Sequence, residues 1–112
     1  MEEKRQAGAR VATSIGTAFQ HADADEVCSS ILNLSSGGVF ILANNPLPID
    51  SQLSMRFHLP GDTEIIDVRG RVVWIKQRSS VFPAGMGIQF TELSPTHQRK
   101  IEAFVEAQLR SH

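Results

Sequence analysis

Asn33-Leu34-Ser35-Ser36-Gly37-Gly38-Val39-Phe40-Ile41-Leu42 is the stretch on which the reading of this chain turns. A polar acceptor, two hydroxyls and two glycines lie between two apolar runs. Leu32-Asn33-Leu34 reads as the end of one strand, and Val39 to Leu42 as the start of the next. Glycine takes φ > 0 at no steric cost, so Gly37 and Gly38 predict a tight turn. They also let another molecule approach the main chain, and successive N–H groups in such a turn can form an anion-binding nest. Two readings stand side by side. One is a plain hairpin connection; the other is a ligand-contacting turn with Asn33 and Ser35 directed outward. Asn33-Leu34-Ser35 also matches the N-glycosylation pattern, which has meaning only in a secreted chain.

Working outward, Val11, Thr13, Ile15, Thr17 and Phe19 alternate with smaller or more polar residues, a period of two that predicts a strand. Ala22-Asp23-Ala24-Asp25-Glu26 is a polar connection. Val27 to Leu34 follows as a second strand. Strict alternation sets Cys28, Ser30, Leu32 and Leu34 on one face and Val27, Ser29, Ile31 and Asn33 on the other. Beyond the turn, Val39 to Ala43 is a third strand, broken by Asn44-Asn45-Pro46-Leu47-Pro48. Leu53, Met55, Phe57 and Leu59 mark the fourth, and Pro60-Gly61-Asp62 a turn. In the fifth, Ile66, Val68, Gly70, Val72 and Trp74 share a face, which favours the core for Trp74 over stacking on a ligand; Arg69 and Arg71 lie opposite, as a solvated strand face or an extension of a basic surface. Lys76 to Ala84 is a loop, and Met86, Ile88 and Phe90 are the inward set of the last strand.

The period then changes. Ser94-Pro95 is the signature of an N-cap followed by proline in the first turn of a helix. Ile101, Phe104, Val105 and Leu109 form one apolar stripe that must be buried. Six short strands and one helix predict an all-β dominated fold, a six-stranded antiparallel β-barrel with one C-terminal α-helix, or an open sandwich as the alternative. The organisation expected is a flexible N-terminal arm over 1–9, a barrel over 10–92, and a helix over 94–110 packed on the barrel.

At 112 residues, with 41% hydrophobic and 21% charged residues, the chain fits one small globular domain. The formal net charge of -1 argues against a DNA or RNA polymer as partner, and 6% aromatic residues with no Tyr argue against base-stacking platforms. Cys28 is the sole cysteine, and His21, His58, His97 and His112 have no ligand spacing, so no metal site is expected. Neither paired carboxylates in a turn nor a Ser/His/Asp set is visible, so an enzyme is not expected. The charged opening, Met1-Glu2-Glu3-Lys4-Arg5, does not resemble a signal peptide, and no run approaches the ~20 apolar residues of a membrane helix. Cytoplasmic localisation without membrane insertion is the expectation.

With the strands in this order the chain resembles the PilZ domain family, a six-stranded barrel with an Asx-x-Ser-x-x-Gly turn and an Arg-x-x-x-Arg arm before it. Asn33, Ser35 and Gly38 match the turn. Gly70-Arg71-Val72-Val73-Trp74 is similar to the family's fifth strand, and Gly85-Met86-Gly87-Ile88-Gln89-Phe90 to its last. The likeness runs from Arg10 to Leu109 and is to the short stand-alone members. It departs in the arm: Arg5 and Arg10 are five apart instead of four, with Gln6 four before Arg10. Either one residue is inserted, or the first arginine has no functional counterpart.

The resemblance implies a bacterial, non-catalytic signalling module that binds cyclic di-GMP (c-di-GMP) as a ligand, needs no cofactor, and acts on an unidentified protein partner in motility or biofilm regulation. The implied ligand-binding residues are Arg5, Arg10, Asn33, Ser35, Gly37 and Gly38. A guanidinium meets the O6/N7 edge of guanine bidentately, or a phosphate. On this reading Arg10 contacts guanine or phosphate, Arg5 closes over the ligand from the arm, and Asn33 and Ser35 bond a base edge or a phosphate. Gly37 and Gly38 lend backbone N–H groups, and binding orders the arm. The irregular arginine spacing leaves a second possibility: a degenerate PilZ-type interaction adaptor that binds the nucleotide weakly or not at all.

Overall fold

The computed structural model describes residues 9–111. Strands β1 (Val11–Gln20), β2 (Val27–Leu34), β3 (Gly38–Leu42), β4 (Gln52–Phe57), β5 (Ile66–Lys76) and β6 (Gly85–Glu92) precede one helix, α1 (Pro95–Arg110). Every pairing is antiparallel, and the strands close in the order β1-β2-β3-β6-β5-β4, with β4 returning to β1. Closure removes the exposed edges of an open sheet and excludes the sandwich. The inward rows form one core: Ile15 and Phe19 from β1, Val39 and Ile41 from β3, Met55 and Phe57 from β4, Val68 and Val72 from β5, and Met86 and Ile88 from β6. The arm proposed over 1–9 lies, apart from Ala9, outside the described residues.

Two bulges correct the expected faces. Along β5 and β6, Val72 pairs with Ile88 but Trp74 pairs with Gly87, so two residues on β5 oppose one on β6. The extra residue reverses the alternation. Trp74 turns outward and is 40% exposed instead of joining the core, and Ile75 packs against the core in its place. On the outer surface the Trp74 ring stacks on Phe40, with centroids 5.1 Å apart and planes 16° apart. Gly87 lies beneath the indole, where a Cβ would collide with the ring. Along β2 and β3, Ile31 pairs with Ile41 and Asn33 with Phe40, again two residues against one. Ile31 and Leu34, expected on opposite faces, are both fully buried as a result.

The turn also differs in mechanism. Neither Gly37 nor Gly38 adopts positive φ; among the described glycines only Gly61 does, at 81°. The bend is shaped by side-chain hydrogen bonds of Ser35 instead, as described below.

Helix α1 begins as its sequence dictates. Ser94 Oγ accepts from the His97 N–H at 3.1 Å, with Pro95 directly after the cap. Ile101 and Val105 are buried in the barrel core and Phe104 packs partly against it. Leu109 does not continue the stripe, being 41% exposed; it lies one helical turn beyond the last core residue. A polar clasp ties α1 to the β4–β5 connection. Lys100 Nζ lies 2.7 Å from both Asp62 Oδ2 and Glu64 Oε1, and His97 Nε2 lies 3.1 Å from Glu64 Oε2. The Lys100 ammonium holds both carboxyls below the usual range, helped at Glu64 by His97, and the two carboxylates raise Lys100. The clasp sits where β4 stops and β5 starts. Antiparallel pairing brings the start of β1, the end of β2, the start of β3 and the end of β6 to that same end of the barrel.

Candidate functional site

Residues far apart in sequence meet at this end because β1 and β2 pair. Val11 faces Leu34 and Ala12 faces Asn33, which brings Arg10, immediately before β1, beside the last residues of β2. The Arg10 Nη1–H donates to Asn33 Oδ1 at 2.8 Å. Arg10 is exposed and Asn33 half-buried, so the pair faces outward.

Ser35 lies two residues on and is 5% exposed. Its hydroxyl is surrounded by the turn. Oγ accepts from the N–H groups of Gly37 at 3.3 Å and Gly38 at 3.2 Å, and donates to the Gly38 carbonyl at 3.3 Å. The Ser35 N–H also donates to the Gly38 carbonyl, at 2.9 Å. A serine hydroxyl bonded in this way reinforces the backbone contact that closes the turn. The two glycines then have different reasons to be there. Gly38 pairs with Gln89, and a Cβ at Gly38 would collide with the Ile88 carbonyl oxygen. Gly37 is exposed, nothing would meet a Cβ there, and its carbonyl accepts from the Phe90 N–H at 2.9 Å.

The structure thus brings Arg10, Asn33, Ser35, Gly37 and Gly38 to one place. Arg5 lies outside the described residues. Four residues outside the set implied by the resemblance also stand in this neighbourhood. Phe40 pairs directly with Asn33, so the Phe40–Trp74 stack continues the outer surface from the Arg10–Asn33 pair. Gln89 pairs with both Gly38 and Arg71, and the Arg71 Nη2–H donates to Gln89 Oε1 at 2.9 Å. Arg71 Nη1 also meets Asp50 Oδ1 at 2.9 Å. A signal for the aromatic pair was present: Gly85 and Gly87 alternate on one face of β6 and leave a slot that only bulky neighbours can cover.

Among the described residues no three His, Cys, Asp or Glu side chains converge as metal ligands, and no helix is long and apolar enough to cross a membrane. The site offers cationic and amide N–H groups on an open barrel surface next to a rigid turn. Such a surface suits an anionic, planar ligand bearing hydrogen-bond acceptors.

The comparisons agree with this architecture. The chain is similar to MotI/DgrA, an inhibitor of motility from Bacillus subtilis, with a TM-score of 0.80, 15% identity, and coverage of 91% of this chain and 50% of that one. It is similar to the PilZ domain of YcgR from Escherichia coli, solved with c-di-GMP, with a TM-score of 0.72, 15% identity, and coverage of 92% and 90%. MrkH of K. pneumonia in its apo state gives a TM-score of 0.76, 16% identity, and coverage of 92% and 50%. This chain therefore spans half the length of MotI and MrkH. At these identities the likeness establishes the fold. No curated protein matches the sequence. The family model described as the PilZ domain matches residues 3–107, nearly the whole chain. With that match and a closed barrel of the same design, the chain belongs to the PilZ domain family.

Proposed function

We propose that this chain is a non-catalytic c-di-GMP receptor, bacterial and cytoplasmic, that reports the second messenger to a protein partner in motility or biofilm control. The observation that carries the reading is the Arg10–Asn33 hydrogen bond next to the Ser35-x-x-Gly38 turn, within a PilZ barrel. Support comes also from the fold's likeness to the YcgR domain solved with c-di-GMP. In the proposed complex Arg10 contacts a guanine or a phosphate, and Asn33 a base edge. Ser35 and Gly38 keep the turn in shape and bring it close to the ligand. Arg5 closes over the ligand from the other side. The arm that carries Arg5 becomes ordered on binding, its loss of freedom is offset by contacts to two guanines, and the partner reads the changed surface.

Calorimetric titration with c-di-GMP tests this. Wild type binds, and Arg10→Ala binds about 10- to 100-fold more weakly, the equivalent of losing one bidentate guanidinium contact. Equal affinities would remove Arg10 from the site. The five-residue spacing of Arg5 and Arg10 favours a second reading, a PilZ adaptor with weak or no nucleotide binding. Absence of heat, and of any shift of the Gly37 and Gly38 amide resonances at high micromolar c-di-GMP, would select the adaptor.

A further inference from the structure

We propose that the end of the barrel away from the Arg10–Asn33 pair is a surface for a second copy of this chain, and that two copies meet there about a two-fold axis. The acidic β1–β2 hairpin of each copy then faces the basic β5–β6 hairpin of the other. The inference goes beyond the proposed function and does not depend on it.

Three connections meet at that end: β1–β2 over 21–26, β3–β4 over 43–51 and β5–β6 over 77–84. The strand order β1-β2-β3-β6-β5-β4 sets the β1–β2 and β5–β6 hairpins on opposite sides of the ring and sends the β3–β4 connection across between them. Leu47 of that connection packs against the core and closes the end. The two hairpins are opposite in charge. Residues 21–26 carry Asp23, Asp25 and Glu26 without Lys or Arg, whereas residues 76–84 carry Lys76 and Arg78 without Asp or Glu. Glu26 is bonded to Arg56, but Asp23, Asp25 and Arg78 have no ion-pair partner among the described residues.

The basic hairpin also presents apolar bulk on a fixed tip. Ser79 Oγ accepts from the N–H groups of Val81 at 3.3 Å and Phe82 at 3.0 Å, and the Ser79 N–H donates to the Phe82 carbonyl at 3.0 Å. Held in this way, Val81 is 74% exposed and Phe82 55% exposed. Lys76 Nζ lies 4.8 Å from the centre of the Phe82 ring, so cation and apolar face are offered together. On the acidic hairpin Val27 is exposed as well. Large apolar side chains grouped in water, with charges around them, mark a contact surface.

A two-fold axis running along the β3–β4 connection exchanges the positions of the two hairpins. One docking then forms two identical contacts, acidic to basic, each with Val81 and Phe82 against the Val27 side of the partner. Groups near such an axis meet their own copies, where like charges would repel. Residues 43–49 carry no charge, Ile49 among them is exposed, and Asp50 is paired with Arg71. The other occupant that a basic, apolar tip suits is an anionic lipid surface. That surface would cover the whole end and meet Asp23 and Asp25, which it repels.

Sedimentation velocity of the full chain, with no nucleotide added, tests the proposal. Wild type should pass from monomer to dimer between about 10 and 300 μM, the range of a contact smaller than a standard interface. Asp23→Lys with Asp25→Lys, and separately Lys76→Glu with Arg78→Glu, should each weaken the dimer about tenfold or more, with circular dichroism unchanged. Mixed one to one, these two variants should dimerise again, because one now carries two basic hairpins and the other two acidic ones. Phe82→Ser should weaken the dimer without any such rescue. Wild type that stays monomeric throughout this range overturns the proposal, as does growth past the dimer, or a dimer that both charge reversals leave intact. A mixture of folded variants that stays monomeric overturns it too. Monomeric wild type that co-sediments with phosphatidylglycerol vesicles would assign the Val81–Phe82 tip to a lipid surface instead.

Discussion

Gly38 is glycine because the Ile88 carbonyl lies where a Cβ would have to go. Gly37, its neighbour, has open space and an ordinary φ. The two look alike in sequence and differ in consequence. Gly38→Ala should lower the unfolding free energy by about 1–3 kcal/mol, as an overpacked interior does. Gly37→Ala should change it by no more than about 0.5 kcal/mol. Urea denaturation with the slope unchanged measures both, and equal losses would show that conformational freedom, not close approach, selects the glycines. The spacing of Asn33, Ser35 and Gly38 was legible because the bonds that shape this turn run between Ser35 and residues two and three positions on. The partner of Asn33 was not, since Arg10 reaches it only through the pairing of β1 with β2. Trp74 was misassigned for a comparable reason: one extra residue against β6 turns its ring from inside to outside.

At the scale of elements, α1 is held by a cap, two core residues and the Lys100 clasp. The clasp predicts an acid-sensitive dependence of stability. Asp62 and Glu64 have lowered pKa values in the fold, so their contribution is complete above the ordinary carboxylate range, about 4. It is lost as pH falls through the lowered values. Lys100 has a raised value, so its contribution is complete below about pH 10 and is lost only as pH rises beyond it. The clasp should therefore act fully from about pH 5 to pH 10. Chemical denaturation of wild type and Lys100→Met, repeated between pH 7 and pH 3, checks this: the two stabilities should converge on acidification. The groups are partly exposed, so the difference at neutral pH should shrink in high salt. A gap that stays constant with pH would mean that Lys100 acts through its aliphatic stem alone.

On the scale of the whole molecule, the seam that closes the barrel is short. β1 pairs with β4 only over Thr17–Gln20. Nearer its start β1 contributes Val11 and Ile15 to the core, and Ile101 and Val105 of α1 join that same core. The helix thus completes the interior that strand pairing alone leaves unfinished. Ile101→Ala should cost about 2–5 kcal/mol, a large part of the ~5–15 kcal/mol that holds a small domain together. Thermal and urea unfolding followed by circular dichroism would measure it. A loss under about 1 kcal/mol would mark α1 as an appendage.

Alternation of side chains, turn chemistry and the helix cap were readable from the chain alone, because each depends on neighbours within a few positions. They were enough for six strands, one helix and the Asn33–Gly38 turn. Only the tertiary structure decided where alternation breaks, since a bulge is defined by the residue count on the partner strand. It also decided which groups at the turn are already bonded. Arg10 points the Asn33 amide because the pairing of β1 with β2 sets those atoms within hydrogen-bonding reach, whereas Ser35 engages both glycine N–H groups within the turn itself.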